Sequence, residues 1–182
     1  IEYALTFKKD HSGGADRHPH RMLRDQVKWQ KDEEMAPSFG TSGLRGLVTE
    51  LTADLVTDYI HAFLTTVPEC DRLFVGRDLR PSSPDISDVI CRAAQEAGVN
   101  VSDCGAVGTP ALALSSMGAK AAAIMVTGSH IPADRNGLKF YLPEGEVSKA
   151  DEARIGAAYA AKARRTASQP GRYETFPDAE PR

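Results

Sequence analysis

Ala121-Ala122-Ala123-Ile124-Met125-Val126 is a continuous apolar run, which predicts a strand buried on both faces of a sheet. The polar segment Thr127-Gly128-Ser129-His130-Ile131-Pro132 follows it directly. In open α/β sheets, ligands bind beyond the carboxyl ends of the strands. The loop after Val126 is therefore the first place in this chain to look for a functional site.

On both sides of this strand, helical and strand patterns alternate along the chain. Thr52 is placed to cap a helix with an apolar stripe from Leu55 to Leu64, and His61 lies off that stripe and is expected to be solvated. The other predicted elements are a strand at 73–76, a helix at 83–98, a strand at 99–101, a helix at 109–117, a strand at 137–142 and a helix at 149–165. The alternation predicts an α/β fold with a mainly parallel mixed sheet sandwiched by helices.

The chain divides into three parts by composition. Residues 1–34 show no sustained periodicity, and Met35 is a plausible native start, so this stretch is left open between an upstream extension, a non-native segment and a separate small element. Residues 35–165 form the predicted domain. Residues 166–182 contain Pro170, Gly171, Pro177 and Pro181, and this composition predicts a linker or tail that leads towards later domains.

The charge of the chain gives no reason to expect nucleic acid or a membrane as a partner. The net charge is −3 and the isoelectric point is near 6.0, so any anion must be recognised by a local cluster of cations. No apolar run approaches the roughly 20 residues that a spanning helix needs. Three cysteines without metal-like spacing indicate small buried side chains in a reducing environment, and we expect a cytoplasmic protein.

A glycine-rich segment, residues 39–46 (FGTSGLRG), predicts a phosphate-binding loop. Its backbone N–H groups and the guanidinium of Arg45 match the geometry of phosphate oxygens. The spacing of a nucleotide-binding P-loop is absent, so the motif does not indicate a nucleotide. Ser129 beside His130, taken alone, is more typical of a surface turn than of a site.

Five motifs taken together resemble the α-D-phosphohexomutase family from Ser38 to about Arg165. They are, in order, FGTSGLRG at 39–46, GRDLRPSS at 76–83, GTPAL at 108–112, TGSHIP at 127–132 and NGLK at 136–139. The family's phosphoserine loop reads TASHNP, so Gly128 and Ile131 depart from its pattern. Because of these two departures, the resemblance does not determine the fine geometry of this loop.

The resemblance implies that Ser129 carries a phosphoryl group and exchanges it with hexose phosphates through a hexose 1,6-bisphosphate. His130 and Lys139 would transfer protons, and Arg45 would be an active-site cation. Thr41, Ser42 and Arg77 would contact the substrate or its phosphate. Arg77 and Arg80 are each left open between pairing with Asp78 or a neighbouring acid and a role in the site.

The family also implies Mg²⁺, held by the phosphoserine oxygen on Ser129 and by a DxDxDR run in a later domain, which is absent from this sequence. The implied full-length protein interconverts hexose 1-phosphate and hexose 6-phosphate, with mannose as the preferred sugar on likeness alone. The chain would then be its first domain, inactive by itself, with the later domains as partners.

Two other functions remain as alternatives. One is a non-catalytic module that binds a sugar phosphate or a protein. The other is a serine hydrolase that uses Ser129 and His130, which lacks an identifiable third, orienting acid.

Overall fold

Eight strands and four helices follow one another within the residues that the computed structural model describes, 37–39 and 43–177. They are β1 (Ser38–Phe39), β2 (Leu44–Leu47), α1 (Ala53–Thr66), β3 (Arg72–Arg77), α2 (Ser83–Glu96), β4 (Asn100–Ala106), α3 (Thr109–Gly118), β5 (Ala122–Val126), β6 (Arg135–Leu142), β7 (Gly145–Glu146), α4 (Lys149–Ala160) and β8 (Tyr173–Thr175). None of the helices in these ranges is long and apolar enough to cross a lipid bilayer. The predicted extension at 1–34 lies outside the described residues.

The strands form one mixed sheet in the order β1-β2-β6-β5-β3-β4-β8, and β7 pairs with β6. Strands β5, β3, β4 and β8 are parallel to one another, whereas β6 runs antiparallel to β5 and β2. Helix α2 is the crossover connection between the parallel neighbours β3 and β4, and α3 connects β4 to β5, which lies on the other side of β3. The α/β prediction is therefore confirmed, with antiparallel strands on one side of the sheet.

Helices cover both faces of the sheet because the side chains of β3 and β5 alternate between two cores. Leu73 and Val75 point into a large core shared with α1, α2 and α4. Phe74, between them, packs in a smaller core with Leu112 of α3 on the opposite face. A strand that is apolar at every position, as β5 is, follows from burial on both faces.

Helix α1 begins at the position that the capping pattern predicts. Its histidine, His61, is buried, although the sequence predicted that it would be solvated. The hydroxyl of Thr52 accepts the N–H of Leu55 at 3.3 Å. His61 is 4% exposed, so the prediction that it is solvated is wrong. Burial is the main cause that lowers its pKa, and among the described residues its Nδ1 has no hydrogen-bond partner. The chain after α4 covers this part of α1, since Arg164 pairs with Asp58.

The segment after α4 is more ordered than a linker. The predicted helix at 149–165 ends at Ala160, and residues 173–175 then form β8 beside β4. Phe176 packs edge-on against Phe74 with ring centroids 5.3 Å apart. Part of the predicted tail at 166–182 therefore belongs to the sheet, because its aromatic side chain completes the smaller core.

The three cysteines are free thiols, and Cys70 is only partly buried, whereas the sequence predicted that all three would be buried. Cys91 and Cys104 are buried, and burial is the main reason that the pKa of each rises to about 12. Both thiols therefore stay protonated and pack as small apolar side chains.

Replacing Ser148 with alanine is expected to lower the free energy of unfolding by about 1 kcal/mol, the usual cost of a lost N-cap. Ser148 accepts the N–H of Asp151 at 3.3 Å, and the Asp151 carboxylate accepts the N–H of Ser148 at 2.8 Å, so α4 begins with a capping box. Urea unfolding monitored by circular dichroism measures the effect. Ser148→Thr should retain most of the stability, and equal losses for both variants would contradict the assignment.

Candidate functional site

Ser129 lies directly after β5, at the edge of the sheet where the parallel strands have their carboxyl ends. The side chain is exposed, and its Oγ is 3.4 Å from Nδ1 of His130. Its backbone N–H donates to Oγ1 of Thr127 at 2.9 Å. The hydroxyl is thus presented to solvent beside an imidazole, on a turn that a local hydrogen bond stabilises.

The backbone of Ser129 is held in an unfavourable conformation. Its φ is +51°, in the left-handed region that glycine adopts more readily. Such a conformation costs a non-glycine residue about 1 kcal/mol or more and persists only where the surroundings enforce it. Strained residues of this kind cluster at functional sites.

Arg80 binds the Ser129 loop through four backbone carbonyl groups. Its Nη1 donates to the carbonyl oxygens of Pro132 at 2.7 Å and Arg135 at 3.1 Å. Its Nη2 donates to those of Ser129 at 3.2 Å and Ile131 at 2.6 Å. One rigid guanidinium therefore ties together both ends of the turn that carries the hydroxyl.

Asp78 connects the same loop to the start of α2. Its carboxylate accepts the Ser83 hydroxyl at 2.5 Å and the backbone N–H groups of Arg80 at 3.0 Å and Gly128 at 3.1 Å. Burial favours the neutral acid, but these hydrogen bonds outweigh it and hold the pKa of Asp78 below its ordinary value. Its Oδ2 also lies 3.5 Å from Nε of Arg80, so the pairing that the sequence left open is present.

Asn136, near the start of β6, completes this network. It is 0% exposed, and its amide nitrogen donates to the hydroxyls of Ser82 at 2.9 Å and Ser83 at 3.0 Å. Its side-chain oxygen accepts the N–H of Gly137 at 2.8 Å. Hydrogen bonds therefore join the GRDLRPSS, TGSHIP and NGLK motifs. Sequence reasoning missed the contacts of Ser83 and Asn136, although each residue lies in a quoted motif.

Arg45 and Lys139 lie on one face of the sheet, together with Thr127. Arg45 of β2 is opposite Gly137 of β6. Lys139, also in β6, is opposite Met125 of β5, and Met125 lies two residues before Thr127. Because side chains two residues apart share a face, the two cations and the residue that leads into the Ser129 loop project to the same side. Lys139 also lies 3.9 Å from a carboxylate oxygen of Glu146.

The register does not place Arg77 with these cations. Arg77 is opposite Val126, whose side chain enters the larger core. The side chain of Arg77 therefore leaves the sheet on the face opposite to that of Arg45 and Lys139. Thr41 and Ser42 lie outside the described residues. The substrate-binding roles of Arg77, Thr41 and Ser42 stay predictions.

A family model for phosphoglucomutase/phosphomannomutase, alpha/beta/alpha domain I, matches residues 36–166. The chain belongs to this family. Its phosphohexomutase resemblance, found from five motifs, is therefore confirmed. The model covers both the glycine-rich segment and the Ser129 loop.

Curated relatives and a solved structure agree with this assignment. A phosphomannomutase of Sinorhizobium fredii is 50% identical over 129 residues, 68% of this chain and 27% of that protein. A phosphoglucosamine mutase of Arthrobacter is 35% identical over 162 residues, 81% of this chain and 35% of that protein. A phosphoglucomutase/phosphomannomutase family protein of Burkholderia thailandensis matches with a TM-score of 0.66 and 27% identity, over 74% of this chain and 32% of that structure. The chain thus spans about a third or less of these relatives.

Metal-ligating side chains are not clustered in the part of the domain that the structure describes. Among residues 37–39 and 43–177, no group of three or more His, Cys, Asp or Glu side chains could hold a metal ion. The carboxylate nearest to the loop in the network, Asp78, already accepts hydrogen bonds from Ser83, Arg80 and Gly128.

Proposed function

We propose that this chain is the first domain of a phosphohexomutase that interconverts hexose 1-phosphate and hexose 6-phosphate, with Ser129 as its phosphoryl carrier. The observation that carries the proposal is the exposed Ser129 hydroxyl, held at φ +51° on a clamped loop at the ligand-binding edge of the sheet. Relatives called phosphomannomutase, at 50% and 47% identity, support mannose as the sugar.

In the carrier-loading step, Ser129 Oγ attacks a phosphorus of the hexose 1,6-bisphosphate. The bond between Oγ and phosphorus forms as the bond between phosphorus and the sugar oxygen breaks. The Ser129 proton passes to Nδ1 of His130, which is 3.4 Å away, and Lys139 protonates the leaving sugar oxygen. The reverse sequence returns the phosphoryl group to the other hydroxyl of the hexose monophosphate.

Positive charge around the loop supports this role. The transferring phosphoryl group carries negative charge over its oxygens, so fixed cations supply most of the stabilisation. Arg45 and Lys139 share the face onto which Thr127 projects, and the Arg80 guanidinium is 3.2 Å from the Ser129 carbonyl oxygen. The proposal also includes a later domain that supplies ligands for magnesium. It further includes a location in the reducing environment of the cytoplasm.

The two alternatives receive less support from the geometry. A module that only binds a ligand does not require a hydroxyl on a strained backbone beside an imidazole. A serine hydrolase requires an acid that orients the histidine, and no described carboxylate forms a hydrogen bond with His130. The arrangement of Ser129 and His130 therefore favours phosphoryl transfer.

The proposal predicts one phosphate on Ser129 after the full-length protein is incubated with a hexose 1,6-bisphosphate. Intact-mass measurement should show the addition, and peptide mapping should place it between Thr127 and Pro132. The hexose monophosphates serve as a control, because phosphoryl transfer from them would release free hexose, which has no place in the proposed exchange between the bisphosphate and the two monophosphates. Phosphate on another residue, or none under conditions that support turnover, would contradict the proposal.

A further inference from the structure

The guanidinium of Arg80 occupies the space in which any side chain at position 128 would begin. A Cβ added at Gly128 would lie 2.2 Å from both Cζ and Nε of Arg80 and 2.7 Å from Nη1. Distances this short are incompatible with the present position of the guanidinium. A side chain at position 128 would therefore have to displace the guanidinium from the place where its four hydrogen bonds to the loop hold it.

We propose that Arg80 and Gly128 form one positioning unit that orients the Ser129 hydroxyl for phosphoryl transfer. The inference rests on the proposed function, since it concerns the same hydroxyl. Arg80 acts through the loop backbone, and Gly128 allows its guanidinium to lie flat against the chain immediately before Ser129.

The clamp requires an arginine because of the number and geometry of its donors. Two nitrogen atoms of one planar group reach four carbonyl oxygens, on residues 129, 131, 132 and 135. The third, Nε, faces the carboxylate of Asp78, whose Oδ2 also accepts the N–H of Gly128. A lysine ammonium carries the same charge but cannot make this planar set of contacts.

Positioning matters here because Ser129 is strained and exposed. Its φ of +51° must be imposed by contacts outside its own side chain, and its Oγ has a single described contact, at 3.4 Å, with His130. When the clamp is lost, the loop can relax towards ordinary backbone conformations and move the hydroxyl. A displacement of about 1 Å at a reacting group can slow a reaction about 100-fold.

A double-mutant cycle in the full-length protein tests the unit. The variants are Arg80→Met, Gly128→Ala and the two combined, and the measurement is the single-turnover rate of Ser129 phosphorylation by a hexose 1,6-bisphosphate. Each single change is expected to slow phosphorylation by about 100-fold. The double variant should be no slower than the slower single variant, because both changes remove the same contact.

A charge-conserving variant separates positioning from simple electrostatics. Arg80→Lys should slow phosphorylation nearly as much as Arg80→Met, while the bisphosphate concentration needed for half-maximal rate changes less than threefold. Recovery of the wild-type rate with lysine would overturn the proposal. Should Arg80→Met fail to fold, Arg80→Lys and Gly128→Ala carry the test alone.

Hydrogen–deuterium exchange of the peptide that contains residues 127–135 separates failure of the unit from failure of the proposed function. Both Arg80→Met and Gly128→Ala should speed exchange in this peptide by at least tenfold, whether or not Ser129 accepts phosphate. Faster exchange with no phosphate on the wild-type protein would overturn the carrier role and retain the positioning unit. Unchanged exchange, or multiplicative rate losses in the double variant, would overturn the unit itself.

Two matched controls change an arginine and a glycine that make no described contact with the Ser129 loop. Arg92 is exposed on α2, and Arg92→Met removes a guanidinium far from the loop in the fold. A Cβ at Gly156 of α4 would meet no atom within 4 Å, so Gly156→Ala adds a methyl group without a clash. Both should retain the wild-type phosphorylation rate and the wild-type exchange at 127–135.

Discussion

Alanine at position 129 is expected to abolish phosphate uptake and to slow turnover of the full-length mutase by about 10⁴- to 10⁶-fold, as for other covalent nucleophiles. Ser129 Oγ is the atom that forms the bond to phosphorus, and nothing in the side chain of alanine replaces it. His130 and the Arg80 clamp would remain, but no atom would be present to accept the phosphoryl group. Steady-state turnover and intact mass after incubation with hexose 1,6-bisphosphate measure the two effects.

The same position offers a stability test that does not depend on catalysis. Because Ser129 has φ +51°, Ser129→Gly should be about 1 kcal/mol more stable than Ser129→Ala in urea unfolding. Ser168→Ala, at an exposed position after α4, is the control and should leave phosphate uptake and stability unchanged. Wild-type turnover in Ser129→Ala would refute the carrier role, and equal stability of the two variants would refute the backbone strain.

Phe140→Ala is expected to lower the free energy of unfolding by about 3–5 kcal/mol, the range for large-to-small changes of buried aromatic residues. Phe140 is 0% exposed, and its ring centroid lies 5.1 Å from that of Phe63 and 5.8 Å from that of Phe39. The change leaves a cavity between β6, β1 and α1. Since domains of this size are stable by only about 5–15 kcal/mol, the variant would be close to unfolding.

This loss would also reach the site, because β6 carries both Asn136 and Lys139. Urea unfolding measured by circular dichroism gives the size of the effect. Leu114→Ala is the control, since Leu114 is 64% exposed and its truncation should change stability by less than about 0.5 kcal/mol. A loss below 1 kcal/mol for Phe140→Ala would contradict the packing described for this core.

Local patterns were sufficient to predict most elements of the fold. The apolar run before Thr127 became β5, Thr52 caps α1, and the segment that begins at Ser83 became α2. These predictions succeed because periodicity and capping depend on neighbours along the chain. His61 and the strand β8 were misjudged for the opposite reason, since the burial of His61 and the pairing of β8 with β4 both depend on segments distant in sequence.

The amino-acid order alone determined that an exposed serine follows a buried strand, and its five motifs identified the family. Only the tertiary structure decided how the motifs work together. Arg80 meets the Ser129 loop across about fifty residues of sequence, and Asn136 reaches Ser82 and Ser83 over a similar separation. Contacts between side chains so far apart depend on the strand order β6-β5-β3, which brings the loop, the arginine and the buried amide to one edge.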